Sequence, residues 1–325
     1  GYTKPDLAGM TPEEQLSKIS EKTLELVQKQ YRIYSKELMP ILNTSNIFIC
    51  DAYEELTDEQ LEYIDRYFME QVYPVLTPMA HDISRPFPLI RNKSLNIAAL
   101  IEKKNDFGTN RSDNQSVEFA TVQVPSVLPR FLRVPAEDDK EVYVLLEQII
   151  ERNMDKLFLN YNVVSACPYR IMRNADFSID EEGAEDLLLE IEKQIKSRQW
   201  GEVIRLEVEA DMDVKLLSYL KKNLCVSEDD VYKINGPIDL TFLMKLYGSV
   251  SHSDLKSESY QPQEHPRLVE CTNIFDEIKR GDILLHHPYQ SFDPVVNFIK
   301  QASTDPNVLA IKQTLYRVSG NSPII

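Results

Sequence analysis

The residues best placed for chemistry gather in one stretch of the sequence, DILLHHPYQSFDPVVNFIKQASTDPNVLAIKQTLYRVSGNSPII, from Asp282 to Ile325. Its apolar pattern predicts a strand over Ile283–His287, a helix from Asp293 to about Ala302 and a strand over Val308–Val318, which together make a βαβ unit. Asp293 before Pro294 is a helix start, an N-cap carboxylate followed by proline in the first turn. In parallel sheets ligands bind beyond the carboxyl ends of the strands, and helix N-termini there favour anions. Arg317 falls at the carboxyl end of the second strand, on the face of Ile311 and Leu315. Its planar fork suits two phosphate oxygens and does not lose its charge. The alternative is a structural ion pair, for instance with Asp293. Lys312 lies mid-strand on the opposite face with Thr314 and Tyr316, either lining a pocket or pairing within the fold.

His286 and His287 look like a metal or nucleophile pair, but adjacent strand residues point to opposite faces. No Cys or third His lies close by in sequence to complete a metal site. His287 is therefore read as pocket lining, and neither histidine as catalytic. His81, His252 and His265 receive no role. There is no Walker loop, no G-x-G-x-x-G and no G-x-S-x-G, and the whole chain holds nine glycines. A nucleotide handled here is not held by a glycine cradle within these residues.

The elements that position this stretch begin far upstream. Thr11-Pro12-Glu13-Glu14 starts a helix whose apolar residues Leu16, Ile19, Leu26 and Ile33 predict one amphipathic rod, ending near Pro40 and packing on other helices. Thr57-Asp58-Glu59-Gln60 is a second capping box, with Leu61, Ile64, Phe68 and Val72 as its buried stripe. The proline-rich Pro74–Pro88 predicts an irregular crossing. Strands are then expected at Leu95–Ile101, Val117–Val124, Asn162–Met172, Val203–Glu209 and Val231–Ile234. Helices are expected at Val142–Leu157, Glu181–Ser197, Asp213–Asn223 and Asp239–Tyr247. Asn105–Ser116 reads as a loop and Ser249–Gln263 as a linker. One βαβ unit does not cover both faces of its own sheet, so the chain reads as a piece of a longer protein.

Composition bounds the function. The formal net charge is −16 over 325 residues. From Arg267 onward six basic residues balance six acidic ones, so residues 1–266 carry 30 basic against 46 acidic. Such an acidic surface argues against nucleic acid as a partner, while leaving room for a locally basic phosphate pocket. Cys50, Cys167, Cys225 and Cys271 share no C-x-x-C spacing, which argues against zinc and for inert thiols in a reducing, cytoplasmic setting. No apolar run approaches the roughly 20 residues needed to span a bilayer.

The Asp282–Ile325 stretch closely resembles the start of the first catalytic domain of bacterial polyphosphate kinase, the type that works through a phosphohistidine. PVLTPMAHDISRPFPLIRNKSLNIAALIE resembles the entry to that family's head domain, and VPSVLPRFLRVP fits its next strands. The resemblance covers essentially the whole chain. It implies an α/β protein overall, with a remnant of a helical N-terminal domain at 1–46 and an α+β head domain at 47–262. The incomplete start of a phospholipase-D-like α/β domain follows at 263–325. It also implies an enzyme that reversibly moves the terminal phosphate of ATP onto inorganic polyphosphate, with Mg2+ and with ATP or ADP and polyphosphate as partners. A cytoplasmic homo-oligomer assembled through the head domain, peripherally associated with the inner membrane, is part of the same expectation. Arg317, in TLYR, matches a family arginine at the magnesium–phosphate site. Having no lone pair to give, an arginine serves the metal only through shared phosphate oxygens. The phosphorylated histidine belongs to an H-x-K motif expected beyond Ile325, so the chain alone is expected to be inactive. Two alternatives stand beside this: a phospholipase-D-like phosphodiesterase fragment, and a non-catalytic oligomerisation module.

Overall fold

The computed structural model describes residues 4–81, 87–104, 117–174, 201–315, 318 and 320–325. The expected loop at 105–116, the expected helix at 181–197 and Arg317 lie outside these. The chain divides into two compact units, residues 1–250 and 251–325.

The first unit opens with α1 (Pro12–Ile33), where the Thr11 hydroxyl and the Glu14 carboxylate cap each other's backbone N–H. The helix does not stop near Pro40. A π-turn at Tyr34–Leu38 widens the coil, and α2 (Met39–Thr44) continues through Pro40. The widened turn accommodates a residue with no N–H to give to the preceding turn. The expected helix–helix seam is not what buries α1: Leu16, Ile19, Leu26 and Ile33 are exposed. Tyr31 and Tyr34 are buried instead, and the Tyr31 hydroxyl donates to Pro237 O at 2.7 Å.

After β1 (Ile47–Ile49), the second capping box starts α3 (Asp58–Tyr67) as expected, and Ile64, Phe68 and Val72 are fully buried. The proline-rich crossing contains a strand, β2 (Pro78–His81), which pairs with β4. Next come β3 (Leu95–Lys103), β4 (Glu118–Gln123), β5 (Phe131–Val134) and β6 (Glu141–Leu145). The helix expected over 142–157 thus begins as strand. Val142, Tyr143 and Val144 favour a pleated surface; the first two pair with both β1 and β5, and Val144 with β5. Only α4 (Leu146–Arg152) and α5 (Met154–Leu157) are helical. The unit continues with β7 (Tyr161–Arg173), β8 (Val203–Glu209), α6 (Val214–Leu224), β9 (Val231–Ile234) and α7 (Phe242–Ser249).

These strands form a three-stranded sheet, β1-β6-β5, and a six-stranded sheet, β2-β4-β3-β7-β8-β9. Both are mixed, with parallel pairing only at β1–β6 and β8–β9. The larger sheet is covered on both faces, which explains why β3 is buried along most of its length. Ile97, Ala99 and Ile101 pack with α3 and α4, while Ala98 and Leu100 pack with Leu216, Leu217 and Leu220 of α6. Covering both faces also buries a charged residue of β8. Leu206 and Val208 are fully buried, but Glu207 is buried too. Its carboxylate is held by Arg170 at 3.3 Å and Arg205 at 2.5 Å. The Arg205 guanidinium stacks 4.0 Å over the Tyr232 ring.

The second unit contains α8 (Ile274–Lys279) and α9 (Asp293–Thr304). Of the expected βαβ unit the helix forms. The segments at 283–287 and 308–315 enter no strand ladder among the described residues, and the pairing seen nearby is one parallel bridge, Gln263 to Gln290. Leu284 and Leu309 remain exposed there. A strand is stable only against a neighbour that takes up its N–H and C=O groups.

Candidate functional site

The second unit places His286 and His287 in the turn that leads into α9. Its start differs by one step from the expectation. Asp293 is the first helical residue and Phe292 the N-cap, with no capping side chain; the Asp293 N–H is taken by Ser291 Oγ at 3.1 Å. The preceding turn is tied closely. The His286 N–H donates to Gln290 Oε1 at 2.8 Å, and the Gln290 N–H returns to His286 O at 2.9 Å. His287 Nδ1 lies 3.0 Å from Gln290 O, and its ring stands edge-on to Phe292 with centroids 5.1 Å apart. His286 instead packs its ring 5.0 Å from Tyr289. The two rings therefore contact different aromatic partners.

Several basic residues of this unit are committed to structure. Arg267 holds the carbonyls that close α8, donating to Glu277 O at 2.5 Å and Asp282 O at 3.1 Å. Arg280 pairs with Glu277 at 2.5 Å and Lys279 with Asp276 at 3.4 Å. Lys300 and Lys312 are exposed, with no ion pair to a described residue. A cavity of about 450 Å3 in this unit is lined by Pro266, Arg267, Val269, Glu270, Cys271 and Glu277, and so includes neither His287 nor Lys312. Arg317, the predicted phosphate ligand, lies outside the described residues.

The first unit holds one cavity of about 760 Å3 whose charged lining is Arg130, Arg133 and Lys245, and others that are acidic. One of about 870 Å3 opens at the N-terminus of α3, where Glu55, Asp58, Glu59 and Glu137 face the single cation Lys140. Its charge repels a polyphosphate. A smaller one, about 260 Å3, is lined by Asp51, Glu147, Glu209, Asp211 and the 234–237 turn. Glu147 is neutralised by Arg130, through Nε–Oε2 at 2.8 Å and Nη2–Oε1 at 2.5 Å. The other carboxylates have no such partner among the described residues. Burial, then the charges of Glu209, Asp211 and Glu147, pushes the Glu151 carboxyl up to about 8. Burial above all pushes Glu209 up to about 7. The Cys167 thiol donates to Glu209 at 3.5 Å, and burial and that carboxylate push it above its ordinary range. The sequence gives no spacing cue for this cluster, because β7 and β8 bring its members together across more than 40 residues. The position of Glu209 on the polar face of β8 is the one hint.

Three family models match the chain: "Polyphosphate kinase N-terminal domain" over residues 1–50, "Polyphosphate kinase middle domain" over 59–246 and "Polyphosphate kinase C-terminal domain 1" over 273–325. A polyphosphate kinase of Halalkalibacterium halodurans is 49% identical over 329 residues, covering 100% of this chain and 46% of that protein. One from Bacillus anthracis is 46% identical, with the same two coverages. In structure, the chain resembles the polyphosphate kinase of Porphyromonas gingivalis, with a TM-score of 0.73, 23% identity, and coverage of 95% of this chain and 44% of that one. The chain thus spans less than half the length of these relatives.

Proposed function

The chain belongs to the polyphosphate kinase family, and from that premise we propose that it serves the reversible transfer of the ATP terminal phosphate to inorganic polyphosphate. It would supply the head domain and one edge of the phosphoryl-transfer site. The observation that carries this reading is the match over residues 273–325, which contains the TLYR sequence ending at Arg317. The nucleophile is not among these residues. No histidine of the chain is followed two positions later by lysine, so the H-x-K motif of the phosphohistidine is supplied elsewhere.

In this scheme Arg317 holds two phosphate oxygens and offsets the charge that spreads over the moving group. Covalent relay through histidine divides one transfer between two polyanions into two easier steps. Mg2+ would arrive with the nucleotide phosphates. Among the described residues of 251–325, no three His, Cys, Asp or Glu side chains converge as a metal site. The cation would be held through phosphate oxygens, with Arg317 as the shared clamp. Exposed Lys312, and His287 beside the N-terminus of α9, are proposed to line the approach. Residues 1–46, 47–262 and 263–325 are proposed as the functional divisions, with the middle one as the oligomer contact.

The test has two arms. The purified 325-residue chain, given ATP and Mg2+, is expected to make no polyphosphate; synthesis would overturn the reading. In a full-length relative, the arginine equivalent to Arg317 is changed to Ala and to Lys. Both variants should lose rate, and Lys should not restore it, because a point charge does not replace a bidentate fork. Wild-type rates in both would remove Arg317 from the site.

A further inference from the structure

The edge strand β5 and the helix α7 build the wall of the basic cavity. Phe131 and Arg133 are two residues apart on β5, so they share one face of the strand. Across the ladder Arg133 stands opposite Tyr143 of β6. On α7, the buried Phe242 and Leu246 pack with Tyr143 and Leu145, which fixes the helix beside these strands. Lys245, Gly248 and Ser249, at i, i+3 and i+4, share one side of α7. With the 126–129 turn these residues line about 760 Å3. That volume falls in the range of small-molecule sites, roughly 300–1,000 Å3.

The charge of this cavity runs against that of its surroundings. Residues 1–266 hold 46 acidic residues against 30 basic ones, yet among the described residues no carboxylate lines it. Of its three cations, Arg130 is neutralised by Glu147. Arg133 is half-exposed, and its ion pair is a loose 3.9 Å contact to Glu141, whose carboxylate already accepts from the Tyr143 hydroxyl at 2.5 Å. The exposed Lys245 ammonium makes no hydrogen bond or ion pair to a described residue. Two cations on one concave wall are thus open to an anion. Much of the remaining wall is apolar, from Val127, Leu128, Pro129 and Phe131. Such a wall gives nothing to a bare phosphate chain, which is polar throughout, but it suits a flat ring. The Ser126 and Ser249 hydroxyls are available to the polar edge of that ring.

We propose that this cavity binds a nucleoside phosphate, with Arg133 and Lys245 on the phosphates and the base against Phe131 and the 127–129 turn. The role is one of binding, separate from the transfer step and independent of Arg317. A guanidinium fork and a mobile ammonium together suit a diphosphate, the first gripping two oxygens and the second following the charge. Arg130 takes no part in it, because its donors are spent on Glu147 and on the carbonyls of Ile238 and Asp239.

Calorimetric titration of ADP into the 325-residue chain, at low salt and without Mg2+, tests this. One equivalent should bind, and Lys245→Ala and Arg133→Ala should each weaken it about tenfold, the loss of one charge-assisted hydrogen bond. Gly248→Phe should weaken it as well, because a Cβ there meets no heavy atom within 4 Å and the ring occupies open space on the wall. Lys245 and Gly248 are exposed, so these two variants keep the fold if Arg133→Ala does not, and circular dichroism melts check each. Tripolyphosphate, more highly charged than ADP but lacking a base, should bind at least about tenfold more weakly, the loss of one stacked ring. Arg317→Ala should leave ADP affinity unchanged, which separates this site from the transfer site. Three results would each overturn the proposal: no ADP binding, binding lost in Arg317→Ala but kept in Lys245→Ala and Gly248→Phe, or tripolyphosphate binding as tightly as ADP. The last would make the cavity a plain anion site.

Discussion

Arg130 and Glu147 provide the sharpest test of what holds the first unit together. Their side chains are 17% and 4% exposed, and the contact is bidentate, at 2.8 and 2.5 Å. Arg130 also donates to Ile238 O at 2.5 Å and Asp239 O at 3.3 Å, so it pins the turn after β9 to the start of β5. Replacing Arg130 with Met leaves the volume nearly filled but strands a buried carboxylate and two carbonyls. Removing one partner of a buried pair costs about 3–5 kcal/mol. For a unit of this size each kcal/mol lowers the melting temperature by roughly 2–4 °C, so Arg130→Met should melt roughly 6–20 °C lower. The double variant Arg130→Met/Glu147→Leu removes both charges and should recover most of the loss, since apolar replacement of a whole buried pair is often neutral. Urea and thermal melts by far-ultraviolet circular dichroism on the three proteins read this directly. If Arg130→Met loses less than about 1 kcal/mol, or the double variant is no better than the single one, the charge argument is wrong.

Other outcomes follow from the same structure. Thr57→Ala removes the acceptor for the Gln60 N–H and frees one half of the α3 capping box, so unfolding free energy should fall by about 1 kcal/mol in urea titrations. Glu151, with its folded pKa raised to about 8 from 4.5, binds its proton more tightly folded than unfolded. Its contribution is therefore complete below about pH 4.5 and is lost as pH rises towards 8. Melts in chelator should show stability declining across that window, by at most about 1.4 kcal/mol per pH unit, and Glu151→Gln should flatten the decline. Light scattering on the isolated chain should show an oligomer; a strict monomer at high concentration would withdraw the proposed assembly role.

Legibility followed the physics of each signal. Both Thr capping boxes were readable because a cap is a local contract among four consecutive residues, and α1 and α3 begin where those boxes place them. The end of α1 was not readable, because the π-turn that lets the helix pass Pro40 is set by the burial of Tyr31 and Tyr34. The 142–157 segment misled because Val142, Tyr143 and Val144 fit a helical stripe as well as a strand, and the deciding fact is the presence of β1 and β5 on either side. The second unit was recognisable from a long continuous motif, which needs no tertiary knowledge. The acidic cavity was invisible for the opposite reason: Asp51, Glu147 and Glu209 come from separate elements and meet only in the fold.

Charge distribution sets a final test of how much of the phosphate site these residues hold. Residues 1–266 carry all of the net −16, while the remainder is neutral and ties Arg267, Lys279 and Arg280 into ion pairs. A continuous cationic track for polyphosphate would release counterions on binding, and its affinity would fall steeply with salt, as it does for proteins that grip nucleic acid backbones. One arginine and a few lysines beside an acidic unit give a slope near that of one or two phosphate contacts. Fluorescently labelled polyphosphate titrated against the 325-residue chain over a salt series should therefore bind weakly, with a shallow slope. Tight binding with a slope equivalent to six or more contacts would mean that the track runs through these residues, and that Arg317 belongs to the middle of the site rather than its edge.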